Sequence, residues 1–227
     1  MVTLVVDRSS ARPGFAVLRE GRVVSAHTWE GEPSRAPQWT AEIGALLQQD
    51  GLTWGDFEQY IGGIGPGSFS GIRGALAFLN GLALPFKTPV YGVSSAAALA
   101  VEAAQSAAER VTVIGDARRN TLWVAQFQVV DRDRGAIQRM TGAALTHTAE
   151  DFTLIAPDQL AALCVPGTTV ISPDWGRLEG ALRAAVQPGV RLVEHTVYPS
   201  AAWIGRLALA GNHTAQEPLP IYLHPAV

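Results

Sequence analysis

The chain has 227 residues, 48% of them hydrophobic and 16% charged, with a formal net charge of −3. This composition can build one large core or two smaller ones, and it advertises no dedicated nucleic-acid-binding surface. The only cysteine, Cys164, excludes an internal disulfide and a cysteine-based metal site.

The chain opens with a strand-like run, Val2-Thr3-Leu4-Val5-Val6, followed by Asp7 and Arg8, which is no signal peptide. With no run of about 18 apolar residues, no membrane span is expected, and the reading is a cytoplasmic protein. Phe15–Arg19 and Val23–Thr28 form a hairpin around Glu20-Gly21-Arg22. Residues 30–37 read as a loop. A helix is expected over about 38–50, with Trp39, Ile43, Leu46 and Leu47 at helical spacing and a stop at Asp50-Gly51. Tyr60–Ile64 is a short strand. A helix follows from about Ser70 to Leu84, closed by Pro85. Val90–Val93 is a strand and 95–109 an alanine-rich helix.

Then the opening repeats. Val2-Thr3-Leu4-Val5-Val6-Asp7 resembles Val111-Thr112-Val113-Ile114-Gly115-Asp116, and each segment continues through arginine into a second strand. A duplicated domain is the preferred reading, with halves 1–109 and 110–227. In the second half, strands are expected at Leu122–Val130, Thr169–Ile171 and Arg191–His195. Helices are expected near 158–164, 176–186 and 200–211, and an extended tail from Glu217. Strands alternating with helices imply an α/β sheet in each half.

Residues 62–74 read GGIGPGSFSGIRG, with six glycines in thirteen positions. The stretch fails as a P-loop, because Ser68 and Phe69 stand where lysine and Ser/Thr must follow Gly67. It fails as a dinucleotide fingerprint, because Ser70 replaces the third glycine and no acid lies near Tyr91–Ser95. What remains is a tight strand-to-helix turn in which Gly65 and Gly67 supply backbone freedom and Ser68 or Ser70 caps the helix. A weak anion site at the helix start is the alternative.

The helix after the turn is more informative. Ile72, Ala75, Leu76, Leu79, Leu82 and Ala83 form one apolar face; Gly74, Ala77, Phe78 and Gly81 form another. Only Arg73 and Asn80 between Gly71 and Phe86 are polar. A helix on a sheet surface keeps a polar outer face. This one does not, so its second face needs a cover. The 38–50 helix adds small residues, Ala41, Gly44 and Ala45, off its main apolar face. Together the two helices predict a protein–protein interface built from Trp39, Ile43, Gly44, Leu47, Arg73, Gly74, Ala77, Phe78, Asn80 and Gly81.

Gly65-Pro66-Gly67-Ser68-Phe69-Ser70-Gly71-Ile72-Arg73 resembles the signature Gly-Pro-Gly-Ser-Phe-Thr-Gly-hydrophobic-Arg of the TsaB (YeaZ) family. Asn80-Gly81-Leu82-Ala83, Val93-Ser94-Ser95, Asp116-Ala117-Arg118-Arg119-Asn120 and Pro220-Ile221-Tyr222-Leu223 resemble further family segments. The resemblance implies the actin-like (sugar kinase and Hsp70) fold with two similar α/β halves. It implies a non-catalytic partner of TsaD, the enzyme that transfers threonylcarbamoyl to adenosine 37 of tRNA. The first-half helices would pack on TsaD, or on a second copy of the chain when TsaD is absent. A TsaE-like ATPase and tRNA would be met only through the complex. No cofactor is implied for the chain itself, and ATP or ADP only at an interface of the assembled complex. The chain departs from the family pattern at Arg8 in place of Thr, at Arg35-Ala36-Pro37 in place of His-Ser-Glu, at Ser70 in place of Thr and at His224 in place of Arg, and Trp39 changes the shape of the interface.

His27, His147, His195, His213 and His224 include no helical His-x-x-x-His pair, which argues against a metallopeptidase. Asp7 and Asp116 end equivalent strands, where actin-like kinases orient magnesium and water. The duller reading is a local ion pair or turn contact with Arg8 and Arg118. A small-molecule kinase or ATPase would also need a Gly/Thr-rich phosphate hairpin, and Asp7-Arg8-Ser9-Ser10 is not one. Ser9-Ser10 and Ser94-Ser95 offer no evident His/Asp pairing, so a serine hydrolase is not favoured.

Overall fold

The computed structural model describes residues 1–29, 39–215 and 217–223. Arg35-Ala36-Pro37 and His224 lie outside the described residues. The chain divides into two units, Met1–Ser95 with Pro199–Pro220, and Ala96–Tyr198 with the segment from Ile221.

The first unit is built around β1 (Val2–Asp7), buried from Thr3 to Asp7. A strand covered on both faces reads as an unbroken apolar run, and alternate side chains go to opposite faces. Leu4 and Val6 pack into a core with Ile43 and Leu47 of α1 (Trp39–Gln49) and Ala75 and Leu79 of α2 (Phe69–Ala83). Val5 meets α5 (Ala201–Leu209) on the other side. Gly205 permits that approach, since a Cβ there would lie 2.9 Å from Val5 and 2.7 Å from Leu18. β2 (Gly14–Arg19) runs antiparallel to β1, and β3 (Arg22–Thr28) antiparallel to β2. β4 (Gln59–Gly63) runs parallel to β1, and β5 (Val90–Val93) parallel to β4. The order is β3-β2-β1-β4-β5. At the β5 edge the Thr214 amide donates to the Gly92 carbonyl at 2.9 Å, and the Gly92 amide donates to Thr214 Oγ1 at 2.9 Å. The tail thus satisfies an otherwise open strand edge.

The second unit repeats the plan. β6 (Arg110–Arg118), β7 (Thr121–Asp131) and β8 (Ala136–Arg139) form an antiparallel set. β10 (Thr168–Ile171) runs parallel to β6, and β11 (Arg191–Leu192) parallel to β10. A short β9 (Thr153–Ile155) pairs with β7. The order β8-β7-β6-β10-β11 matches β3-β2-β1-β4-β5 strand for strand and direction for direction. The resemblance of residues 2–7 to 111–116 therefore marks the central strands of two like sheets, the two-half α/β plan of the actin-like fold. Each half ends in a helix that belongs to the other unit. α3 (Ser95–Ala103) lies with the second unit from Ala96, and α5 lies with the first. The units therefore differ from a simple split at 109/110.

Several local expectations change. α3 stops at Ala103 rather than 109, because the Glu109 carboxylate accepts the amides of Gln105 and Ser106 and ties the chain into a turn. The helix expected near 158–164 is a 3-10 turn over Pro157–Ala162, and the strand from Arg191 ends at Leu192. β8 and β9 were not anticipated. Residues 69–86 do have the length and composition of a membrane span, contrary to expectation. The apolar face of α2 that packs in the core accounts for part of that composition.

Candidate functional site

The glycine loop joins β4 to α2, and its glycines are explained by the backbone they touch. Gly65 has φ +94°, in the region that glycine adopts without strain. A Cβ on Gly67 would lie 2.1 Å from the Ser9 carbonyl oxygen, and one on Gly71 would lie 2.1 Å from the Arg8 carbonyl oxygen. The loop is therefore pressed against the segment that follows β1. The Ser68 amide donates to the Ser9 carbonyl at 2.7 Å, and Ser68 Oγ accepts the Gly71 amide at 3.2 Å, capping α2. The first turn of α2 spends these donors on the chain's own oxygens rather than on a phosphate.

Asp7 sits at the centre of this junction and is fully buried. Its Oδ1 accepts the Ser95 hydroxyl at 2.8 Å, and its Oδ2 accepts the Ser9 hydroxyl at 2.9 Å and the Ser9 amide at 3.3 Å. Burial pushes its carboxyl up to about 6, against the lowering effect of the Ser95 and Ser9 hydrogen bonds. The native state therefore binds a proton more tightly than the unfolded chain, whose carboxyl titrates near 3.8. The resulting stabilisation is full below pH 3.8 and is lost as pH rises through about 6. Urea unfolding of wild type and Asp7→Asn between pH 4 and 7.5 checks this. The variant's stability relative to wild type should rise with pH over that window and then level off.

Asp116 is held differently. Its Oδ1 accepts the Arg118 amide at 2.8 Å, and its Oδ2 pairs with the guanidinium groups of Arg118 and Arg177, each at 3.2 Å. Its own amide donates to Asp174 at 2.9 Å. The local ion-pair reading fits Asp116. Asp7 is bonded to serines instead, and the Arg8 guanidinium turns away to stack on the Trp39 ring at 4.6 Å. Ser9 and Ser95, passed over for want of a histidine, are the true partners of Asp7. Among the described residues no group of three or more His, Cys, Asp or Glu side chains is placed to hold a metal. His147 is buried and its amide donates to Asp151 at 2.8 Å, while His213 packs on Tyr91 at 4.5 Å between ring centres.

The expected interface residues separate into three groups. Ile43 and Leu47 are buried in the first unit's own core, because the main apolar face of α1 is turned to the sheet. They present no surface, which corrects their assignment. Trp39, Gly44, Gly74 and Phe78 are half-buried in an aromatic seam between the helices. Trp39 meets Phe78 edge-on at 4.7 Å, and Trp54 meets Phe78 at 5.7 Å. The space beside Gly44 is taken by Trp54, 3.2 Å from where a Cβ would be, and that beside Gly74 by Arg8 at 3.4 Å. The neighbours of those two glycines are thus the chain's own side chains. Arg73, Ala77, Asn80 and Gly81 are exposed. They run along one stripe of α2 that begins at Phe69, 54% exposed, and ends at Leu84, 81% exposed. The Arg73 guanidinium stacks on Phe69 at 4.0 Å. Nothing lies within 4 Å of a Cβ built on Gly81. Leu84 and Phe86 are not among the expected interface residues: Leu84 belongs to neither of the two faces read from the sequence, and Phe86 lies past the helix end at Pro85.

Comparison with known proteins completes the picture. The family described as TsaD, tRNA N6-adenosine threonylcarbamoyltransferase, matches residues 37–169. The tRNA threonylcarbamoyladenosine biosynthesis protein TsaB of Escherichia coli is 29% identical over 138 residues, 60% of this chain and 58% of that protein. The chain thus matches little more than half the length of that curated relative. An uncharacterized protein of Mycobacterium tuberculosis is 31% identical over 156 residues, 68% of this chain and 71% of that one. The structure of YeaZ from Pseudomonas aeruginosa superposes with a TM-score of 0.74 at 26% identity, covering 97% of this chain and all of the other. By its loop, its paired sheets and these matches, the chain belongs to the family so described and, within it, to the TsaB (YeaZ) branch.

Proposed function

We propose that this chain is a non-catalytic subunit of tRNA threonylcarbamoyladenosine biosynthesis. In this reading it binds a TsaD-type threonylcarbamoyltransferase through the outer stripe of α2 and activates it for modification at tRNA position 37. In the absence of the transferase, the same stripe pairs two copies of the chain. A TsaE-like ATPase and tRNA are engaged through the assembled complex, in the cytoplasm, and ATP or ADP binds only at an interface of that complex. The observation that carries the reading is the stripe itself, exposed on a helix whose other face is a core face, with Phe69, Ala77, Gly81 and Leu84 apolar or small and only Arg73 and Asn80 polar. Large exposed apolar patches mark interaction sites. The burial of Asp7 among serines and the pairing of Asp116 with arginines support a non-catalytic role.

The test is co-purification with the transferase from the same genome, followed by reconstituted tRNA modification. A stable complex and stimulated modification are expected; no complex and no stimulation would reject the reading. Gly81→Ala gives a finer check. In the free chain it should raise stability by about 1 kcal/mol, since alanine favours helix and the space is open. The thermal midpoint should rise while partner affinity falls, because the added methyl group holds the partner helix away.

A further inference from the structure

The buried carboxylate of Asp7 has no role in the function proposed above, yet it is tied to the helix that carries it. Three donors converge on it: the Ser95 hydroxyl, the Ser9 hydroxyl and the Ser9 amide. As an ionised carboxylate, Asp7 accepts from all three, and the Ser95 and Ser9 hydrogen bonds favour that charged form. The network runs on in two directions. Ser95 gives its proton to Asp7, so its oxygen is free to accept the Gly65 amide at 3.1 Å, and the Ser95 amide donates to the Gly65 carbonyl at 2.8 Å. On the other side Ser9 presents its carbonyl to the Ser68 amide, and Ser68 caps α2 through Gly71. Both ends of the glycine loop thus hang from one carboxylate.

We infer that Asp7 is a positioning residue for the partner-binding helix, its ionised carboxylate holding the glycine loop and the first turn of α2 in the geometry that the partner recognises. The inference rests on the proposed binding role of α2. Protonation of Asp7, or its replacement by asparagine, introduces a donor where three donors already point. The Ser95 hydroxyl must then turn from donor to acceptor and give up its own acceptor, which weakens its hold on the glycine loop and the first turn of α2. The charged groups on the surrounding elements do not compete for Asp7. Arg8 stacks on Trp39, Arg73 of α2 on Phe69, and Arg206 of α5 on Trp203. Glu102, further along α3, is exposed, as is Arg19 of β2, and β4 and β5 carry no charge. Because burial raises the carboxyl to about 6, the loosening falls in an accessible pH range.

The test uses the full chain, with the transferase as partner or a second copy of the chain in its place. In the isolated chain, amide exchange at Ser68, Gly71 and Ile72 is followed in wild type and Asp7→Asn from pH 5 to 8, after correction for intrinsic exchange. Wild type should be protected at high pH and lose protection below about 6, whereas Asp7→Asn should stay unprotected throughout. Partner affinity at pH 7.5 should be about tenfold weaker for Asp7→Asn, the scale of one lost hydrogen bond to a charged group. That loss would come in a variant whose stability relative to wild type is greater at pH 7.5 than at pH 4, a pH dependence that a purely structural defect does not produce. Ser95→Ala provides a second variant. It removes the largest effect lowering the Asp7 carboxyl, so the midpoint of the wild-type pH profile should move upward. Exchange that is identical in wild type and Asp7→Asn overturns the inference, as does altered exchange with unchanged affinity. Altered exchange in a chain that binds no partner at any pH upholds the positioning role and rejects the proposed function instead.

Discussion

Replacing Ala77 by glutamate should weaken partner binding by about two to four orders of magnitude while leaving the free chain folded. Ala77 is exposed at the middle of the α2 stripe, flanked by Arg73 one turn before and Gly81 one turn after. In the free chain the new carboxylate stays in water, and Arg73 stands at helical spacing to pair with it. Surface changes of this kind stay within about 0.5 kcal/mol. In the complex the same carboxylate would be stripped of water against an apolar helix, a cost of about 3–5 kcal/mol when no partner charge compensates. Titration of the partner by calorimetry measures the loss, and thermal unfolding of the free variant shows whether the fold survives. Ala77→Gln separates charge from bulk and should retain most of the affinity. Ala75→Glu is the contrasting control. Ala75 lies only two residues away but is fully buried in the first unit's core, so that variant should fail to fold. Wild-type affinity in folded Ala77→Glu would remove α2 from the interface.

The contrast between Ala75 and Ala77 also shows how far the sequence could be read. The period of α2 separates two faces, and one of them is the core face. The scarcity of polar residues on the other, Arg73 and Asn80 alone, was visible without coordinates, as was the failure of the glycine loop as a phosphate loop. What periodicity cannot give is which small residues are already filled by the chain itself. Gly44 and Gly74 look as open as Gly81 in one dimension. Trp54 and Arg8 occupy the first two, and only Gly81 faces free space. Ile43 and Leu47 were misassigned for a related reason. A helix with one apolar face must give that face to its own sheet before any remains for a partner. The Asp7–Ser95 bond spans 88 residues and joins the end of β1 to the start of α3, which share no local pattern. The paired serines Ser94-Ser95 directly after Val93 gave the one hint, a polar pair at the end of a buried strand. β8 and β9 escaped because short edge strands with charged or mixed sequences lack the alternation that identifies a strand.

Gly71→Ala should destabilise the chain by about 3 kcal/mol net, although helix propensity alone predicts the reverse. Gly71 lies in the first turn of α2, where exchange of glycine for alanine gains about 1 kcal/mol in an open helix. Here the methyl group would sit 2.1 Å from the Arg8 carbonyl oxygen, 3.2 Å from its carbon and 3.0 Å from Ser68 Oγ. The first two are backbone atoms of the segment that Asp7 and Ser68 already hold, so no side chain can rotate out of the way. Overpacking costs about 1–3 kcal/mol where neighbours can yield, and more where they cannot. The steric cost therefore exceeds the propensity gain, and the thermal midpoint should fall by roughly 6–12 °C. Gly81→Ala is the same exchange in the same helix at a place with open space, and it should shift the midpoint upward. Opposite signs from the two variants would show that backbone contact, not helix propensity, fixes the glycine at 71. A midpoint for Gly71→Ala at or above wild type would mean that the Arg8–Ser9 segment can withdraw freely, and the close seating of α2 against β1 would then have to be abandoned.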